Sequence, residues 1–171
     1  MTQVESRLRR TLSEKPLRKD ERVLVVGKLA SDVFKRLVTM PLHVTYGDAV
    51  LEGYDRVLIE WTMDDECVAF LEQMGRESSV NVHVNDSVKN GSVKLFISLR
   101  DKEVAAYAQL RGIPFEPRAK DTEWSAFLAA FDDHPDMMYN LVKNVQEMKD
   151  VQETKNLQEM NGPTTKQHLN T

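Results

Sequence analysis

Cysteine is almost missing from this chain. Cys67 stands alone among 171 residues, which excludes an internal disulfide framework and any multi-cysteine zinc site. Long apolar runs are missing too. None approaches the roughly 18 residues of a membrane span, and the first residues are polar and basic rather than signal-like. A cytoplasmic setting is expected, with the nucleus as the alternative, and no membrane partner. The 7 glycines are scattered. A dinucleotide fingerprint needs Gly-x-Gly-x-x-Gly so that backbone can approach a pyrophosphate. In VLVVGKLASD, residues 23–32, Gly27 has no companion glycine, and no Gly-Lys-Ser/Thr follows to make a P-loop.

The composition that remains, 41% hydrophobic and 29% charged, is that of a globular chain able to bury one core. Its length suits one domain with an extension. The net charge of −4 is unevenly spread: residues 1–28 hold eight Lys/Arg against four acids, and residues 48–78 hold nine acids against two arginines. The basic segment suits phosphates; as a solvated, fraying leader it needs no ligand.

Periodicity gives the elements. Residues 4–12 suit a short helix, broken by Pro16. A strand over 23–26 leads into a helix capped by Ser31 and ended at Met40-Pro41. A second strand covers 42–46, and GDAVLEG makes a loop. Residues 54–61 alternate, with Val57, Ile59 and Trp61 on one face and Tyr54, Arg56, Leu58 and Glu60 on the other. Thr62 caps a helix whose first turn holds Asp64, Asp65 and Glu66, as the macrodipole favours. Cys67, Phe70, Leu71 and Met74 form its apolar stripe. Asn90-Gly91 is the preferred dipeptide of a type I′ hairpin, and it sets Val88 opposite Val93, Val84 opposite Ile97 and Val82 opposite Leu99. Helical patterns follow over 102–111 and 122–131, the second with Trp124, Phe127, Leu128 and Phe131 at helical spacing. After His134-Pro135 a third helix carries apolar residues at every third position, which drift around the helix and leave no straight stripe.

Strand–helix–strand–strand–helix–strand over 23–85 is the order of the split βαβ, ferredoxin-like fold. Within it LVVGKL, residues 24–29, resembles the first-strand motif of RNA-recognition-motif domains. YDRVLIEW, residues 54–61, with the TMDDECVAFLEQM that follows, resembles their third strand and second helix. The resemblance covers under half of the chain. It implies an α+β fold with strand order four-one-three-two, extended by a fifth strand from the hairpin and followed by C-terminal helices. The organisation expected is a basic leader over 1–21, an RRM-like domain over 22–100, a helical region over 101–150, and an exposed helix end with a disordered tail over 151–171.

The resemblance also implies a sheet face that stacks bases. The usual stacking positions hold Val25, Arg56 and Leu58 instead. The expected single-stranded RNA surface therefore draws on Tyr54, Arg56, His83, Asn85, Lys94, Phe96 and Arg100, with Asn81 beside them. Two other classes remain open: a protein-interaction or assembly module using the acidic segment and C-terminal helix, and a small enzyme of unrecognised type. A methyltransferase-like reading of YGDAVLEGYDRVLIEW lacks room for the second strand and helix that normally intervene. A topoisomerase–primase site needs a glutamate where Gly27-Lys28 stands, and Asp64-Asp65 lies in a capped turn. His43-Val44-Thr45 and His83-Val84-Asn85 are similar to two histidine-centred strands of a phosphoesterase, but the second lacks the hydroxyl residue expected two positions on. No catalytic residue, metal or cofactor is assigned.

Overall fold

The computed structural model describes residues 2–75 and 91–160. In chain order its elements are α1 (Gln3–Glu14), β1 (Arg22–Val26), α2 (Lys28–Leu37), β2 (His43–Gly47), β3 (Arg56–Thr62), α3 (Met63–Gly75), β4 (Ser92–Phe96), α4 (Asp101–Arg111), α5 (Thr122–Ala129) and α6 (Pro135–Met160). The mixed α and β content is as expected. The sheet differs: its order is β2-β1-β3-β4 and every pairing is parallel. The antiparallel Asn90-Gly91 hairpin register lies mostly outside the described residues. Its second arm is present as β4, paired parallel to β3 through Leu58–Val93 and Ile59–Lys94.

The physical reason lies in one connection. Only residues 48–55 join β2 to β3, a length that suits two adjacent antiparallel strands better than a parallel crossover. Here β2 and β3 are not neighbours; they flank β1. The segment runs back along the sheet, and its Val50 and Tyr54 pack on Leu24, Val57, Ile59 and Trp61.

Parallel strands are covered on both faces, and β1 shows the consequence in sequence. Val23, Leu24 and Val25 are all fully buried. On one face Val23, Val25, Leu58, Val93 and Leu95 pack with Leu8 of α1, Leu29 and Val33 of α2, and Val104 and Tyr107 of α4. On the other face lies α3, and α5 and α6 close over it: Met63, Cys67 and Val68 meet Leu128, Met138 and Val142. Each such aliphatic side chain contributes about 1.5–3 kcal/mol by leaving water.

The basic leader is a packed element. Thr2 and Glu5 form a capping box at the start of α1. Arg7 pairs with Glu103 at 2.6 Å, and Arg111 pairs with Glu5. In α6 the last of its buried residues among those described is Val145, and Met148 and Val151 beyond it are exposed. Among the described residues no helix is long and apolar enough to cross a membrane.

Candidate binding cleft

The carboxyl ends of the strands gather the chemistry-bearing side chains. Gly27 and Lys28 follow β1, Asp48 follows β2, Glu60 to Thr62 end β3, and Arg100 and Asp101 follow β4. This rim has a closed half and an open half.

The closed half sits over β3 and β4. Thr62 and Asp65 cap α3 reciprocally: Asp65 accepts from the Thr62 amide at 3.0 Å, and Thr62 Oγ1 accepts from the Asp65 amide at 3.2 Å. Asp64 accepts from Arg100 Nε at 2.6 Å and from the Asp101 amide at 2.7 Å. Burial raises the Asp64 pKa, against these bonds. Lys120 Nζ donates to Asp65 at 2.9 Å and Asp101 at 2.6 Å. Glu66 accepts from Trp61 Nε1 at 2.9 Å and pairs with Lys94. The Trp61 ring carries Lys94 and Arg118, each 4.9 Å from its centroid, an arrangement favoured by the ring quadrupole. Acids and cations here answer one another, so this half ties α3, α4 and the 113–121 segment to the sheet. Cys67 beneath it is buried, and burial, then Asp64, push its thiol up to about 11; it is no nucleophile at neutral pH.

The open half lies over β1 and β2. A cleft of about 450 Å³ is lined by Gly27, Lys28, Ser31, Asp32, Lys35, Tyr46, Gly47, Asp48 and Ile113. Lys35 Nζ stands 4.3 Å above the Tyr46 ring, and Tyr46 is 40% exposed. Burial raises the Tyr46 pKa. Asp32 pairs with Arg36 at 2.8 Å. Ser31 Oγ donates to the Gly27 carbonyl at 2.6 Å. Between the two halves Glu60 reaches across to α2, where its Oε1 accepts from the Ala30 amide at 2.9 Å. Burial raises the Glu60 pKa, partly offset by its bonds to the Ala30 and Leu29 amides. Among the described residues no group of three or more His, Cys, Asp or Glu could hold a metal ion.

The residues expected to form an RNA face are dispersed. Phe96 is fully buried and meets Phe115 edge to face, with centroids 6.4 Å apart. Arg100 is buried on Asp64. Arg56 pairs with Glu21 at 3.3 Å. Lys94 is on Glu66, on the α3 side, where Tyr54 packs against the sheet as well. His83, Asn85 and Asn81 lie outside the described residues. Among the described residues no open sheet face unites the others, because helices cover both sides of the described strands.

Tyr46, Asp48, Lys28, Lys35 and Glu60 were not among the expected site residues. A signal for them was present: Asp48 stands 21 positions after Gly27, near the spacing at which an acid meets a ribose in doubly wound sheets. Without the second and third glycines of the fingerprint, that spacing carries little weight in the sequence. No protein-family model matches the chain, and no curated protein matches it.

Proposed function

We propose that this protein recognises a nucleoside unit in the cleft above β1 and β2. The observation that carries the reading is the reversal of winding between β1 and β3, in a sheet whose described strands all run parallel. From β1 the chain moves outward to β2 on one side, and β3 to β4 continue on the other. Ligands of open parallel sheets bind outside the carboxyl ends of the strands at such a switch point. The cleft sits beside it, with an aromatic ring for a base (Tyr46) and a carboxylate for ribose hydroxyls (Asp48). The RNA preference expected from sequence needs a new location under this reading. One nucleotide of a single strand presents the same base and sugar as a free nucleoside.

The test is a titration of the full chain with the four ribonucleosides and with a single-stranded oligoribonucleotide, following the backbone amide resonances of Gly27 and Gly47. A shallow cleft of this size suits a Kd of roughly 0.1–1 mM. Asp48→Asn should weaken binding by about tenfold, the scale of one charge-assisted hydrogen bond. Unperturbed glycine amides at saturating nucleoside would defeat the reading. Oligoribonucleotide binding that leaves those amides unmoved would place an RNA site elsewhere.

An assembly role is favoured by a different feature. Met137, Tyr139, Met148 and Val151 of α6 are 58%, 40%, 62% and 55% exposed. Sedimentation of the full chain against a Met148→Lys, Val151→Lys variant tests it: a mass above the monomer that the variant loses supports assembly through α6.

A further inference from the structure

Gly27 and Glu60 together say what the cleft's inner wall accepts. Gly27 holds φ at 105°, and a Cβ built there would overlap the Glu60 carboxylate. The carboxylate lies against the first turn of α2, held by the Ala30 amide at 2.9 Å and by the Leu29 amide. Those are the N–H groups that a phosphate takes when it binds at a helix N-terminus. In this chain they are filled from within, by a side chain of the neighbouring strand. Gly27 and Lys28 also line the cleft, so the filled helix start is its wall. A ribose held by Asp48 at the end of β2 extends its 5′ carbon toward the β1–α2 turn, as in doubly wound dinucleotide folds. Its 5′ substituent then approaches Gly27, with the Glu60 carboxylate directly beside that residue.

We propose that Glu60 selects the ligand: the cleft takes nucleosides whose 5′ substituent is neutral or cationic and disfavours 5′-phosphates. This rests on the nucleoside reading given above. The charges around the cleft agree with it. Lys35 is engaged over Tyr46 and Asp32 with Arg36, which leaves Lys28 and Asp48 as the other charged residues of the lining. A phosphate beside Glu60 would meet like charge in a half-buried place and find its usual N–H donors taken.

The experiment compares adenosine, 5′-amino-5′-deoxyadenosine and adenosine 5′-monophosphate, with the matching uridine set, by calorimetric titration of the full-length wild type and of Glu60→Gln. The glutamine keeps an amide oxygen for the Ala30 N–H, so the helix start is preserved; circular dichroism checks this. In the wild type the amine should bind tightest and the monophosphate about tenfold more weakly than the parent nucleoside. In Glu60→Gln the amine should lose its advantage, and the monophosphate should come within about threefold of the nucleoside. A wild type that binds monophosphate as well as nucleoside overturns the selection, even if Glu60→Gln does not fold. So does an unchanged ranking in a folded Glu60→Gln. Absence of binding by every nucleoside in both sets overturns the nucleoside reading and the selection with it.

Discussion

Lys120 shows how single residues govern the rim. Its side chain is 8% exposed and bridges Asp65 and Asp101. Burial pulls its pKa down, yet the bonds to Asp101 and Asp65 outweigh burial and leave it above the ordinary 10.5. A raised folded value means the contribution to stability is complete below pH 10.5 and is lost as pH rises through the folded value. Lys120→Met leaves two carboxylates facing each other and should cost about 3 kcal/mol at pH 7, the lower end for breaking a buried pair. Urea unfolding measures it, and the gap from wild type should narrow as the medium is made strongly alkaline. A variant as stable as wild type at pH 7 would show that solvent screens the bridge. The acids of this cluster were legible as the first turn of a helix. Their partners were not, because Arg100 and Lys120 come from 36 and 55 positions away and no local pattern pairs them. Lys94, Phe96 and Arg100 looked like surface residues for the same reason: the ion pairs and aromatic neighbour that cover them are set by tertiary packing.

At the scale of elements, the start of α2 is the sharpest contrast. The expected cap was Ser31, a local signal. The helix begins four residues earlier, with Gly27 in the cap position and Lys28 first, because Glu60 supplies the cap from another strand. Ser31 instead donates back to the Gly27 carbonyl. Gly27→Ala should therefore lose stability in two ways, backbone strain at φ 105° and overlap with Glu60. Together these should amount to about 2–4 kcal/mol. A double-mutant cycle with Glu60→Ala separates them: the overlap is relieved and the strain stays, so the cycle should show favourable coupling. Strict additivity would mean that the two residues do not meet. Most other elements were legible within a few residues, since strands and helices announce themselves by period. Their connection was not. Near-continuous runs such as VLVV mark strands buried on both faces, which points to a parallel sheet, but the short 48–55 link argued the other way. It reaches across the sheet extended, without a helix.

On the scale of the whole molecule, the two sheet faces are closed differently. One face is sealed directly by α1, α2 and α4. The other is sealed by α3, which is amphipathic twice over: Ala69 packs on the sheet, while Met63, Cys67 and Val68 pack outward on α5 and α6. The outer pair is therefore structural along its first half. Arg100 reinforces it, donating to the Leu128 carbonyl at 3.1 Å and pairing with Asp132 at 3.2 Å. A chain ending at Asp121 loses the contacts of Leu128, Met138 and Val142 with α3. Three such side chains are worth about 5 kcal/mol, enough to lower the melting temperature of a domain this size by about 10–20 °C. That variant should also bind a hydrophobic dye through the exposed outer face of α3. A chain ending at Asp150 removes only residues beyond Val145, the last of the buried residues described on α6, and should melt within about 3 °C of the full chain. Thermal scans of both truncations decide the matter. Equal melting of the Asp121 variant and the full chain would detach α5 and α6 from the core. A large loss in the Asp150 variant would assign the end of α6 a packing role, with a second copy of the chain as the surface to test next.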